Sequence, residues 1–156
     1  MRIERKYLAH YIRVGQEQFV RLGEDLEEFT PEMSANVEKS RNILGENRVM
    51  ISGYEKTASV EPVYAESGSA LYEHLQMLID SNAVLSDLET QVVDVKLWDK
   101  ADGDDYPATI EEAFIEITSY GGDHNGYRIG FKLHYTGVKK HGLFNIGTLT
   151  FMELGA

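Results

Sequence analysis

The chain has 156 residues, a net charge of −11 and no cysteine. That length makes about one domain, able to bury roughly two thirds of the surface its unfolded chain exposes, and the missing thiols exclude a disulfide scaffold or a cysteine-ligated metal. The acidic excess argues against gripping nucleic acid, because affinity for phosphates comes from the Lys and Arg that neutralise them. The charge is unevenly spread: residues 61–95 contain no Lys or Arg, whereas 128–140 hold four basic residues and no acid. Acidic and basic ends can attract each other between copies, although acid-rich faces also simply keep a small domain soluble. The opening Met1-Arg2-Ile3-Glu4-Arg5-Lys6 has charges with no apolar run behind them, and no window is long and apolar enough to span a bilayer. Synthesis in the cytoplasm and no membrane partner are therefore expected.

In chain order, residues 7–14 and 19–23 are short apolar stretches, each a candidate edge strand. Residues 24–32 carry five acids around Leu26 and Phe29, and Thr30-Pro31 favours extended or turning backbone. Periodicity stays weak through Gly45, which leaves a long N-terminal arm or loop over about 24–45. A loop of that length is unusual in a compact domain unless it has a task, here reaching a neighbour. Residues 48–60 regain strand character, with Gly53 marking a bulge or close backbone approach and Pro62 ending the run. Ser69 is a natural N-cap for one helix over about 69–80, in which Leu71, Leu75, Leu78 and Ile79 share a face. The turn Asp80-Ser81-Asn82 closes it.

Strands are expected again at 90–98 and 112–120, on either side of a polar turn at 99–107. The clearest strand is 127–135, where Tyr127, Ile129, Phe131, Leu133 and Tyr135 alternate with polar or small residues. The glycine-rich stretches 121–126 and 137–142 read as reversals on either side of it, with Asn125-Gly126 in left-handed backbone. Residues 143–154 complete the sheet. The whole reads as mainly β: a single domain over 1–156, an antiparallel β-sandwich or half-barrel with one flanking α-helix and the long arm.

Chemistry-bearing patterns are sparse. Asp99, Asp102, Asp104 and Asp105 surround Gly103, but an EF-hand needs a bidentate Glu six residues after its glycine, and position 109 is Thr. A solvated turn accounts for them better. The five histidines show no zinc-ligand spacing, there is no Gly-x-Ser-x-Gly elbow, and the carboxylate pairs are adjacent residues that a strand would turn to opposite faces. Neither an enzyme nor a cofactor is expected. Trp98, Tyr106 and Tyr120 suggest a sugar-stacking platform, although aromatics of this kind more often belong to a core or an interface.

Several strings are similar to the tail tube, or major tail, proteins of long-tailed phages and prophages of Gram-positive bacteria. They are the opening through Ile12, Val20-Arg21-Leu22-Gly23-Glu24-Asp25-Leu26-Glu27-Glu28, Asn42-Ile43-Leu44-Gly45-Glu46, Ser52-Gly53-Tyr54-Glu55, the stretch from Tyr64 to Leu71 and Gly121-Gly122-Asp123. The resemblance spans nearly the whole chain and carries no catalytic motif. It implies a β-sandwich with one helix, akin to the tubes of contractile tails and of type VI secretion. It further implies hexameric rings stacked around a tape-measure protein, with tail-tip and terminator proteins as further partners, in the tail of a virion. DNA would pass through an acidic bore without binding specifically. The chain is shorter than such relatives between Ile12 and Phe19 and ends promptly after Leu154, so no decorating domain is expected.

On this reading Glu55, Thr57 and Asp94 are candidate lumen-facing residues, and Asp25, Glu28, Arg41, Asn42, Leu44 and Gly45 are candidate inter-subunit contacts of the arm. The alternatives are another virion ring protein, such as a tail terminator or baseplate component, and a β-sandwich module binding carbohydrate or another ligand.

Overall fold

The computed structural model describes residues 2–15, 18–22, 29–99 and 103–153. These form the strands β1 (Leu8–Val14), β2 (Gln18–Leu22), β3 (Glu32–Arg41) and β4 (Asn47–Tyr64), the helix α1 (Ala70–Asp80), and the strands β5 (Glu89–Lys96), β6 (Asp105–Asp123), β7 (Gly126–Asn145) and β8 (Thr150–Glu153). All pairings are antiparallel, in the order β2-β1-β5-β6-β7-β4-β3, with β8 added to β7. The fold class read from the sequence holds: mainly β, one antiparallel sheet and a single helix among the described residues, consistent with a β-sandwich or half-barrel.

The body of the sheet, apart from the β3–β4 hairpin, is covered on both faces, and each face has its own core. Ile12, Val92, Ala113, Ile115, Phe131 and Leu133 pack beneath Leu75 and Leu78 of α1. Tyr11, Val93, Val95, Ile110 and Phe144 form the second core, which the partly buried Leu149 and Phe151 help to close. The Tyr11 and Phe144 rings lie 4.6 Å apart, and Phe19 meets Phe144 edge-on at 5.8 Å. Burial on both sides is why Val92 and Val93 are both apolar: a strand covered on two faces needs no alternation. In α1 the Ser69 hydroxyl accepts the Tyr72 backbone N–H at 3.4 Å, as the capping pattern predicts. Asn82 takes a positive φ just beyond the helix.

Several expectations are corrected. The segment read as a loop through Gly45 contains β3, ten residues paired with β4 in a long hairpin. Pro62 does not end β4; the strand continues to Tyr64, and the ladder with β7 shifts register between Val60 and Val63. A proline is tolerated there because β3 pairs with β4 only as far as Thr57, and no other described strand pairs with that side of β4. The polar turn is shorter than expected, since β6 already begins at Asp105.

Residues 137–142 are not a reversal. β7 runs through them, and the ladder shifts between Glu111 paired with Lys139 and Ala113 paired with Tyr135, so that Thr136, Gly137 and Val138 bulge out with Gly137 at φ 94°. A glycine signal for positive φ serves a bulge as readily as a turn. The 121–126 reversal does form, with His124 and Asn125 at its apex and Asp123 Oδ1 accepting the Asn125 N–H at 2.8 Å. Its positive φ angles fall on Gly121, Gly122 and Gly126 rather than on Asn125. Of the two expected edge strands, β2 is one, whereas β1 lies between β2 and β5.

Candidate functional site

Beyond Thr57 the β3–β4 hairpin, among the described residues, pairs only with itself, and every residue of β3 is exposed. Directly opposed residues of an antiparallel pair share a face. The register therefore places Met33 with Lys56, Ala35 with Tyr54, Val37 with Ile51 and Lys39 with Val49 on one side. The other side carries Glu32, Ser34, Asn36, Glu38 and Ser40 opposite Thr57, Glu55, Gly53, Met50 and Arg48. One face is apolar with basic ends; the other is mostly polar and net acidic, with Glu32, Glu38 and Glu55 against Arg48.

The sequence alternation breaks inside β4, because Val49 and Ile51 are odd-numbered whereas Tyr54, Lys56 and Ala58 are even. A one-residue bulge repairs it. The ladder steps from Asn36 opposite Gly53 to Val37 opposite Ile51, leaving Ser52 as the extra residue, with its Oγ donating to the Asn36 carbonyl at 3.3 Å. The bulge that Gly53 signals thus brings the apolar side chains of both halves of the strand onto one side. Ala58 and Val60 show which side this is: the one α1 covers over the body of the sheet. Along the hairpin it is bare, with exposures from 47% at Val37 to 63% at Val49.

At the tip, Asn42 Oδ1 accepts the backbone N–H groups of Leu44 at 3.0 Å and Glu46 at 2.9 Å. Gly45 closes the turn at φ 79°, and its carbonyl accepts from Arg41 Nε at 3.3 Å. The arrangement holds Ile43 and Leu44 out in solvent. Four of the arm candidates, Arg41, Asn42, Leu44 and Gly45, therefore meet at this tip. Asp25 and Glu28 lie outside the described residues.

At the root, charged side chains gather on the α1 side of the sheet. Lys56 Nζ lies 2.5 Å from Glu111 Oε1, 4.0 Å from Asp94 Oδ2 and 4.6 Å from the centre of the Tyr135 ring. Asp94 Oδ1 is 2.6 Å from His10 Nδ1, and His10 Nε2 is 2.8 Å from an Arg5 guanidinium nitrogen. A guanidinium only donates, so His10 Nε2 accepts and Nδ1–H donates to Asp94. His10 and Glu111 are buried. The Tyr135 hydroxyl is buried without a hydrogen-bond partner among the described residues. Burial first, then the Asp94 and Glu111 carboxylates, push its pKa well above the usual phenol range.

The three lumen candidates separate. Glu55 and Thr57 lie on the hairpin's polar side, whereas Asp94 is on the opposite side of the sheet, paired with His10. Sequence reading missed the apolar face and the root cluster. Alternation of Met33, Ala35 and Val37 was a legible signal for the first. The second joins positions 55 and 84 residues apart and had none. The aromatic platform does not assemble: Tyr106 and Tyr120 sit toward the two ends of β6, separated by roughly 45 Å of strand if straight.

No protein-family model matches the chain, and none of the curated proteins matches it. Its class rests on the fold: an antiparallel β protein with one helix and an uncovered amphipathic hairpin.

Proposed function

We propose that this chain is a self-assembling structural subunit of a phage tail tube, forming stacked rings with a central bore. The observation that carries the reading is the bare apolar side of the β3–β4 hairpin, with Ile43 and Leu44 at its tip. A soluble domain gains nothing from keeping such a ribbon uncovered, and burying the exposed half of each large side chain against another copy would contribute about 1 kcal/mol apiece. A second copy is the favoured occupant on charge. The apolar side carries Lys39 and Arg41, and the net charge of −11 makes other copies an acidic surface for them to meet. The tail-tube resemblance of the sequence points the same way.

On this reading the acidic side of the hairpin, with Glu32, Glu38 and Glu55 against Arg48, faces the bore. Repulsion of phosphates there would let DNA slide rather than bind. Asp94, on the other side of the sheet and bonded to His10, is not part of this proposed bore face.

The test is negative-stain electron microscopy at rising protein concentration, with light scattering for mass. Stacked hollow rings would support the proposal and fix the symmetry. Single closed rings that never stack would favour a terminator or baseplate ring instead. A monomer that stays monomeric even with tail-tip and tape-measure proteins added would overturn self-assembly.

A further inference from the structure

The root cluster touches the chain on both sides of the hairpin. On the outgoing leg, the Lys56 ammonium is held by Glu111 on β6 and flanked by Asp94 on β5. On the incoming side, Arg5 donates to the Phe29 carbonyl at 2.9 Å while also meeting His10. Phe29 packs edge-on against the His10 ring at 4.6 Å, three positions before β3 begins. Asp94 bonds to His10 and thereby joins the two halves. A continuous line of contacts runs from one leg of the hairpin, across β1, β5 and β6, to the other.

We propose that this line, Arg5–His10–Asp94 with Lys56–Glu111, is a clamp that sets the direction in which the hairpin leaves the sheet. The hairpin needs such a device. Beyond Thr57 it has lost its β7 neighbour, and a two-stranded ribbon with no third strand bends and twists easily. The chemistry of the cluster also fits positioning better than stabilisation. Removing a lysine and a glutamate from water costs much of what their attraction returns, and apolar residues in the same place would extend the adjacent core at no such cost. Charges with directional bonds instead select one geometry. Lys56 is the first residue of β4 beyond its ladder with β7, so its tie acts where bending would begin.

For self-assembly, a preset hairpin lowers the entropy lost when a neighbour docks. That purpose rests on the proposed function; the clamp itself does not.

The chain has no cysteine, so Ser40→Cys on β3 and Glu73→Cys on α1 take a pair of spin labels cleanly. Distances between them are measured by double electron–electron resonance on dilute monomer, whether or not tubes form. The parent and a Lys56→Arg variant should give one narrow distribution. Lys56→Met/Glu111→Leu and, separately, Arg5→Ala should each broaden it at least twofold. Arg5 lies at the surface, so its replacement folds even if the double variant does not. Unchanged widths in Arg5→Ala and in a cooperatively melting double variant would overturn the clamp and leave backbone continuity of β4 as the only guide. Broadening with tubes still forming normally would keep the clamp and remove its purpose in assembly.

Discussion

Lys56 and Glu111 are 55 positions apart, yet the ammonium of one lies 2.5 Å from a carboxylate oxygen of the other, and their side chains keep only 15% and 5% of their exposure. They meet because β4 and β6 flank β7, and because the long Lys56 side chain crosses the Tyr135 ring to reach the far strand. The contact links the body of the sheet to the element on which the proposed function depends.

Breaking the pair from one side should be costly. Lys56→Met leaves the buried Glu111 carboxylate, and Asp94 beyond it, without that ammonium, and a loss of about 3–5 kcal/mol is expected. Adding Glu111→Leu removes one of them and should return more than half of that loss. Urea unfolding of both variants measures the difference; a double variant no more stable than the single one would show that the ion pair is not the cause.

The apolar side of the hairpin should matter for assembly and little for folding. Val37→Glu/Ile51→Lys keeps an opposite-charge pair across the same ladder position. The monomer should therefore unfold within about 1 kcal/mol of the parent while tube formation is lost. Lys39→Glu/Arg41→Glu should weaken assembly more at low salt than at high salt, because exposed charges are screened. Electron microscopy and light scattering across a salt series read both effects.

The tip turn depends on one side chain. Asn42→Ala removes the acceptor of the Leu44 and Glu46 N–H groups, and faster hydrogen exchange at both amides is expected. Global stability should change by about 0.5 kcal/mol or less, since the turn is exposed and far from either core.

Stability should fall at both pH extremes for identifiable reasons. His74 on α1 has its pKa lowered below the ordinary 6.5, by burial first and then by Arg13. The folded state thus binds fewer protons there than the unfolded chain, so its contribution is complete above 6.5 and is lost as pH drops through the depressed value. Tyr135 works in the opposite direction. Its raised pKa means that stability present below the ordinary 10.0 is lost as pH rises beyond it. Denaturation curves of His74→Gln and Tyr135→Phe should each be flatter than the parent on one side only, acid for the first and alkaline for the second.

Gly142 lies where β7 meets β8, and a Cβ there would collide with the Met152 carbonyl. Gly142→Ala should displace β8 and cost about 1–3 kcal/mol, seen in thermal unfolding together with faster exchange of the β8 amides.

What the amino-acid order determined by itself was the local structure. The alternation of residues 127–135 gave a strand, and buried Ile129, Phe131 and Leu133 lie on the face it indicated. Ser69 and the Leu71, Leu75, Leu78, Ile79 spacing placed the helix to within a residue, and Gly53 marked a bulge. These signals are local because dihedral preference and side-chain period act within a few residues. Tertiary structure decided the rest. Gly137 announced a positive φ, but only pairing with β6 made it a bulge within one long strand rather than a turn between two. β3 was hard to read because its apolar alternation is only three residues long, Met33, Ala35 and Val37, and neither of its faces is buried. The root cluster left no sequence trace at all: Arg5, His10, Lys56, Asp94 and Glu111 are unremarkable where they stand in the chain. They become a unit only when the N-terminal segment, β4, β5 and β6 pack together, and the low dielectric created by that packing is what gives their mutual orientation energetic weight.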